Sequence, residues 1–222
     1  MNPTGSRRRA GPRSNGSVIK VSGWPGWLRY NTGLPIWENG AALAGYLERE
    51  WLMEGAQGPL RLVGHSMGGL LIRSACHYGQ ATRQRWLGAL SHAAYLASPH
   101  DGAPMEKIGN LANSLLGVTP YSRPLMALGN IRSRGIRSLR QAVMPFHDGC
   151  QHLLVAARRY YEPTNRWLGD GLVPESSALG GPHFPARHPQ VQRRVLDDVG
   201  HIALLRDERL YQALDQWLAP GH

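Results

Sequence analysis

A serine flanked by glycines is the strongest chemical signal in the sequence, where residues 64–69 read Gly-His-Ser-Met-Gly-Gly. The largely apolar stretch 60–63 precedes it and predicts a buried strand, and an apolar helix is predicted to begin at Met67. A strand that turns into a helix within one or two residues strains the backbone at Ser66 and exposes its hydroxyl above the sheet. Side chains two positions to either side would collide, which explains Gly64 and Gly68. The predicted chemistry is nucleophilic attack by Ser66.

The start of the following helix supplies a complementary group. The backbone N–H of Met67 is expected to point at the oxyanion that forms when Ser66 attacks a carbonyl carbon. A second donor for the oxyanion is not identified from these residues. An ordinary strand-to-helix glycine turn is the alternative interpretation, and the apolar residues on both sides disfavour it.

A serine hydroxyl needs a base and a group that orients the base, and in this architecture an acid and then a histidine follow the serine in sequence. Asp170 fits the acid, since it follows a strand predicted at 152–156 and its flanking glycines permit a tight loop. Asp148 precedes that strand, and Asp197 and Asp198 lie too close in sequence to the candidate histidine. A surface Gly-Asp-Gly turn is the alternative interpretation of Asp170.

His201 is the candidate base, because it lies after the last predicted strand and before the last predicted helix. His183 and His188 lie in a proline-rich loop, and His65 is expected to project away from the hydroxyl of Ser66. A solvent-facing loop residue is the alternative interpretation of His201. Three roles in the required order are more specific than any one of them.

The elements that must position these residues alternate between short apolar strands and amphipathic helices. Strands are predicted at 18–21, 60–63, 94–97, 152–156 and 194–196, and helices at 38–54, 67–78 and 207–218. This alternation indicates the α/β class, with a mainly parallel sheet and helices on both of its faces.

The domain organisation follows from composition. Residues 1–17 are predicted to be a disordered basic tail, and residues 18–222 a single domain. A helical cap is predicted at about 105–147, where prolines and glycines interrupt the helical pattern. Only 36 residues separate Gly23 from Pro59, enough for one crossover of about 30 residues.

Composition excludes several classes. A hydrophobic fraction of 42% suits a globular protein, and no apolar run is long enough to span a bilayer. Of the net charge of +10, half comes from five basic residues at 1–20, and the rest shows no aromatic-basic groove for nucleic acid. Two cysteines cannot form a disulfide scaffold, no zinc-site spacing occurs, and no export signal is visible. We expect a cytoplasmic protein that binds no nucleic acid and no metal.

The sequence resembles the α/β-hydrolase superfamily, and within it the bacterial esterase and lipase-like group related to GPI inositol-deacylase-type and triacylglycerol-lipase domains. The resemblance runs from about residue 28 to the end, through the stretches 29–33, 38–40, 64–69, 98–104, 169–174 and 200–201. It implies a triad of Ser66, Asp170 and His201, a helical lid at 105–147 and no cofactor. The family's pattern also implies a second oxyanion donor in a His-Gly loop after an early strand, followed by two crossovers before residue 60. No His-Gly pair precedes Ser66 and there is room for one crossover, so we expect the sequence to start inside the domain, without the first strands and first helix. It also implies that the loop 98–100 lines the site, although a plain turn explains this loop equally well.

These features predict a hydrolase of carboxylic esters, acting on a small-molecule or lipid ester through an acyl-enzyme on Ser66. The same triad serves amidases, thioesterases and acyltransferases, which remain alternatives. A second alternative is a catalytically weak or inactive module that binds or oligomerises. Missing edge strands would expose a sheet edge, through which we expect self-association. Acyl length, the alcohol partner and the choice between lipase and esterase stay open.

Overall fold

A computed structural model of the 222-residue chain describes residues 19–22, 26–31, 34–53, 58–101, 144, 146–159 and 169–219. The expected tail at 1–17 lies outside these residues, as does nearly all of the expected cap at 105–147. The division of the chain into tail, domain and cap stays a prediction.

The described strands form one six-stranded sheet in the order β2-β1-β3-β4-β5-β6. The strands are β1 (Ile19–Ser22), β2 (Gly26–Trp27), β3 (Leu60–His65), β4 (Leu90–Leu96), β5 (Gln151–Arg158) and β6 (Val191–Asp197). From β3 to β6 all neighbouring strands are parallel. The prediction of a mainly parallel sheet is confirmed, and the edge where β3 to β6 end is called the carboxyl edge below.

The helices are α1 (Ile36–Met53), α2 (Met67–Ala81), α3 (Trp86–Ala89), α4 (Glu175–Ala178) and α5 (Glu208–Leu218), with short 3-10 turns at Gly181–His183 and Ala203–Arg206. The three long helices lie within a few residues of their predicted ranges. The short strand β2 and the single-turn helices α3 and α4 are additional, because segments of two to four residues show no measurable hydrophobic period. None of the helices in the described ranges combines the length and the apolarity that crossing a membrane requires.

Alternating residues of the central strands bury the two faces of the sheet under different helices. In β5, Leu154 belongs to a core with side chains of α1 and α2, whereas Leu153 and Val155 belong to a second core with Leu210 and Trp217 of α5. Because side chains alternate across a strand, an apolar run of this kind needs cover on both faces. Helices on both faces of the sheet are therefore confirmed.

The first strand, β1, runs opposite to the other described strands, whereas β2 has the same direction as β3. β1 runs antiparallel to β3, with Ile19 opposite Gly64 and Ser22 opposite Arg61. β2 runs antiparallel to β1 and connects through α1 to β3. The segment between Gly23 and Pro59 has room for one crossover, and that crossover is formed by β2, α1 and β3.

Two neighbouring residues of α1, Asn39 and Gly40, determine how α1 is attached to the preceding loop and how closely it packs against α2. The buried amide of Asn39 donates from Nδ2 to the carbonyl oxygens of Asn31 and Leu34, at 2.9 and 3.2 Å, and so holds the loop before α1. At Gly40 a Cβ would lie 2.0 Å from Ser74 Oγ on α2. Glycine at this position therefore lets α1 approach α2, the helix that begins directly after Ser66.

Candidate active site

Ser66 occupies a strained turn between β3 and α2. Its φ of 54° and ψ of −124° lie in a region that residues other than glycine rarely adopt. Its amide donates to the Leu96 carbonyl at 2.8 Å, which ties the turn to the end of β4. A Cβ at Gly64 would lie 2.5 Å from the Gly68 carbonyl carbon, so the predicted collision across the turn is real.

Met67 is the first residue of α2 and is buried. The first amides of a helix have no carbonyl partner within the helix and lie at its positive end. The Met67 N–H therefore has the place and the polarity that binding an oxyanion requires.

The described residues beside the connection from β1 to β2 lie away from Ser66. Ser22 and Gly26, which flank the connection from β1 to β2, lie at the amino end of β3, remote from Ser66.

Asp170 lies in a loop after β5 that backbone contacts hold tightly. Arg159 N donates to the Gly169 carbonyl at 3.0 Å, and Gly169 has a φ of 60°, where a side chain would collide with the Val173 carbonyl oxygen. The buried carboxylate accepts hydrogen bonds at Oδ1 from the amides of Leu172 and Val173, at 2.9 and 2.8 Å. These two bonds fix the carboxylate and leave its second oxygen for another partner.

That partner is His201. Its Nδ1 lies 2.6 Å from Asp170 Oδ2, and both side chains are almost fully buried. A carboxylate oxygen only accepts, so Nδ1 carries the proton and Nε2 of the neutral ring is left as an acceptor. Asp170 and His201, which are 31 residues apart in sequence, therefore meet in the geometry that a base and its orienting acid require.

His201 also reaches the end of the nucleophile strand. Its ring centroid is 4.6 Å from that of His65, and its carbonyl oxygen accepts a bond from His65 Nε2 at 2.9 Å. The Ser66 hydroxyl and His201 Nε2 are both buried and have no hydrogen-bond partner among the described residues. The structure thus brings His201 against the residue before Ser66, without a hydrogen bond between the Ser66 hydroxyl and the His201 imidazole.

His65 is the residue of this site that the sequence reasoning missed. His65 was not considered a site residue because its side chain was expected to project away from the Ser66 hydroxyl. Its position at the end of β3, next to Ser66, was the feature of the sequence that could have indicated it. Burial and the adjacent His201 lower the pKa of His65 to about 3. His65 is therefore neutral at physiological pH.

The loop after β4 packs against α2. Ser98 and His100 are almost fully buried, and Ser98 Oγ lies so near Gly69 that a Cβ there would be 2.0 Å away. His100 Nδ1 accepts a hydrogen bond from Arg73 Nη1 at 3.2 Å. Packing against α2 accounts for this part of the motif, and a role in lining a substrate site stays a prediction.

The other acidic and histidine candidates lie elsewhere. Asp197 pairs with Arg158, and His183 Nε2 lies 3.2 Å from Asp101 Oδ1. The described part of the chain contains no group of three or more His, Cys, Asp or Glu side chains that could hold a metal ion. Cys76 and Cys150 are buried free thiols, and burial raises the pKa of both.

Comparison with known proteins gives no relative by sequence and several by structure. No model of a protein family matches the chain, and no curated protein matches it. The mature form of the lipase BlEst2 from Bacillus licheniformis has a TM-score of 0.50 at 16% identity, over 83% of this chain and 75% of that chain.

Two further structures share the architecture. The propeptide form of BlEst2 has a TM-score of 0.54 at 16% identity, over 85% of this chain and 42% of that chain. The product of the lin2722 gene from Listeria innocua has a TM-score of 0.53 at 16% identity, over 85% of this chain and 68% of that chain. At such identities the likeness shows a common fold.

Proposed function

We propose that this chain, which has the α/β-hydrolase fold, is a serine hydrolase that cleaves carboxylic esters through an acyl-enzyme on Ser66. The observation that carries the proposal is the buried bond from His201 Nδ1 to Asp170 Oδ2, held beside the strained turn that contains Ser66. BlEst2, which shares the fold, is described as a lipase.

In the first half of the reaction, His201 Nε2 takes the proton from Ser66 Oγ as the oxygen attacks the ester carbonyl carbon. The carbonyl oxygen becomes an oxyanion and binds the Met67 N–H. His201, now an imidazolium stabilised by Asp170, returns the proton to the alkoxy oxygen. The C–O bond breaks, the alcohol leaves, and the acyl group remains on Ser66.

In the second half, water replaces the serine. His201 Nε2 takes a proton from the water, whose oxygen attacks the acyl carbon, and the oxyanion again binds the Met67 N–H. Collapse of this intermediate breaks the bond to Ser66 Oγ, which regains its proton from His201. The carboxylic acid is released, and no cofactor enters either half.

The role of His201 as a base depends on which of its ring nitrogens carries the proton, and Asp170 determines this. Asp170 has its Oδ1 occupied by two backbone amides, so Oδ2 is directed to His201 and fixes the tautomer in which Nε2 is an acceptor. Burial strengthens these interactions because no solvent screens them. A single oxyanion donor supplies about 3–4 kcal/mol of transition-state stabilisation in serine hydrolases.

A fluorophosphonate probe applied to the whole chain tests the nucleophile directly. We expect covalent labelling of Ser66, identified by peptide mass spectrometry, and no labelling of Ser66→Ala. Ser74→Ala, which alters a buried serine of α2, serves as the matched control and should label like the wild type. An unlabelled wild type, or equal labelling of Ser66→Ala, would contradict the proposal.

Substrate profiling tests the bond that is cleaved. We expect hydrolysis of p-nitrophenyl esters in the wild type and background rates in Ser66→Ala. Acyl chains of two to sixteen carbons, offered also as anilides and thioesters, separate an esterase or lipase from an amidase or thioesterase. A preference for the anilide series would replace ester hydrolysis by amide hydrolysis on the same triad.

A further inference from the structure

The segment Asp198–Ile202, called the base loop here, carries His201 a long way from its own strand. It follows β6, and both β5 and β4 lie between β6 and the nucleophile strand β3. Neighbouring strands are about 4.8 Å apart, so the base loop must reach across roughly 14 Å to bring His201 to Ser66. Contacts near its own strand, such as the bond from Val199 N to the Arg158 carbonyl at 3.2 Å, cannot fix its far end.

His65 contacts that far end. Its Nε2 donates to the His201 backbone oxygen at 2.9 Å, and the two rings lie 4.6 Å apart with their planes tilted by 45°. Both residues are no more than 5% exposed. Among the described contacts, Asp170 holds the imidazole of His201 from the β5 side, and His65 holds its backbone from the β3 side.

The proton distribution allows this bond to persist during the reaction. A carbonyl oxygen only accepts, so His65 donates from Nε2–H. The pKa of His65 is lowered to about 3 by burial and by the neighbouring His201. His65 therefore stays neutral while His201 takes up and returns a proton, and two adjacent positive rings are avoided.

We infer that His65 is a positioning residue, which anchors the base loop to the nucleophile strand so that His201 Nε2 is held towards Ser66. This inference rests on the proposed function. His65 and Ser66 are consecutive residues, so a contact between His65 and the base loop fixes the position of His201 relative to the Ser66 hydroxyl. Misplacing a catalytic group by about 1 Å can reduce a rate by about a hundredfold.

Variants that differ in reach and hydrogen-bonding capacity test the anchor. His65→Gln keeps an N–H donor at a similar distance from the backbone, His65→Asn has the same amide on a shorter side chain, and His65→Phe keeps an aromatic ring without a donor. The matched control is His92→Phe, since His92 is half-buried on β4, near its amino end, and packs against Trp217 at 4.8 Å.

The rate of fluorophosphonate labelling and the separate values of kcat and KM are the catalytic readouts. We expect His65→Phe and His65→Asn to lower the labelling rate and kcat about 10- to 100-fold with KM unchanged within a factor of about two. His65→Gln should stay within about threefold of the wild type, and His92→Phe should equal it. Equal labelling rates in the asparagine and glutamine variants would overturn the inference.

Hydrogen exchange of the base loop is the readout that does not depend on activity. In His65→Asn, peptides covering 198–204 should exchange faster than in the wild type, whereas peptides of α5 should be unchanged. If the wild type is labelled and the variants show neither slower labelling nor faster exchange, the anchor is wrong and the hydrolase stands. If the wild type is not labelled at Ser66, the proposed function fails, and the positioning role fails with it.

Discussion

Two pairs of buried histidines lie in different surroundings. The site pair, His65 and His201, lies at the carboxyl edge of the sheet, where His201 is bonded to the Asp170 carboxylate. The core pair, His100 and His152, lies among the rings of Tyr95, Phe146 and Phe184, on the face of the sheet covered by α1 and α2.

The difference between the pairs is the charge beside them. The charged group bonded to His100 is the cation Arg73. Burial, and after it the charge of Arg73, lower the pKa of His100 well below its ordinary value. His152 lies 3.2 Å from the Tyr95 hydroxyl, donates to the His147 carbonyl at 2.6 Å, and has its pKa lowered to about 4, mainly by burial. A histidine beside a carboxylate can take up a proton in a buried site, whereas a histidine beside a cation stays neutral and contributes packing and hydrogen bonds.

Removing the carboxylate from the site pair should have the largest effect. Asp170→Asn keeps an oxygen for the amides of Leu172 and Val173, but its NH2 group cannot accept from His201 Nδ1. His201 is then no longer held in the tautomer that leaves Nε2 as an acceptor, and no carboxylate stabilises the imidazolium that forms during the reaction. We therefore expect kcat/KM to fall by about 10³–10⁴. Steady-state hydrolysis of p-nitrophenyl esters measures the change.

Asp207→Asn provides the matched control. Asp207 caps α5 through the bond from Arg209 N to its Oδ1 at 3.0 Å, and asparagine caps a helix equally well. Its kcat/KM should remain that of the wild type. A similar loss in the two variants would show that Asp170 acts through the general stability of the fold.

Acid should destabilise the protein through both pairs. In the unfolded chain a histidine has a pKa of about 6.5, whereas the folded pKa values of His65 and His152 are about 3 and about 4. Below pH 6.5 the unfolded chain takes up protons that the folded chain does not, so stability is full above pH 6.5 and is lost as the pH falls towards 4. By pH 5 each of the two histidines should lower the free energy of unfolding by about 2 kcal/mol.

Urea unfolding at pH 8, 6.5 and 5 measures this loss. In His152→Phe the dependence on pH should become shallower by about 1.4 kcal/mol per pH unit below pH 6. An equally steep dependence would show that His152 is protonated in the folded protein.

Breaking the core pair at constant pH should affect stability and spare activity. His152→Phe removes the contact with the Tyr95 hydroxyl and leaves the half-buried His147 carbonyl without its donor, at a cost of about 1–2 kcal/mol. Because His152 lies at the start of β5, at the edge opposite Ser66, kcat/KM of the folded variant should stay within about twofold. Thermal unfolding together with ester hydrolysis gives both quantities, and a tenfold loss of kcat/KM would place His152 in the catalytic machinery.

The residues most easily predicted from sequence were those whose local geometry demands a particular residue type. Ser66 could be recognised because the turn needs Gly64, and β3, β4 and β5 could be recognised because burial on both faces requires continuous apolar runs. Asp170 and His201 required the additional rule of chain order, and their meeting is a property of the sheet that no local pattern contains.

The direction of β1 and the contact between His65 and His201 could not be predicted for a different reason. A run such as Val-Ile-Lys-Val is compatible with a parallel or an antiparallel neighbour, because side chains alternate between the two faces of the sheet in either case. His65 was judged by its neighbour Ser66, whereas its bond is to His201, which is 136 residues away. Contacts across such distances depend on how the sheet is assembled.

The smallest expected effect concerns Arg73, the cation that is hydrogen-bonded to His100 of the core pair. Its guanidinium is buried, donates to His100 Nδ1 and to the Met144 carbonyl, and lies 5.2 Å from the centre of the Phe184 ring. Arg73→Met removes a costly buried charge but leaves two acceptors without donors, so the opposing terms should leave a loss of only about 1 kcal/mol.

The informative consequence of Arg73→Met is electrostatic. Without the cation the pKa of His100 should rise, because Arg73 is one of the causes that lower it. NMR of the imidazole carbon and proton signals between pH 8 and 5 would report the change. Arg193→Met, whose guanidinium donates to the carbonyls of Leu179 and Pro185, is the matched control and should leave the His100 signals unchanged. An unchanged pKa of His100 in Arg73→Met would mean that burial alone keeps the core pair neutral, and the contrast with the site pair would then be one of solvation rather than of the neighbouring charge.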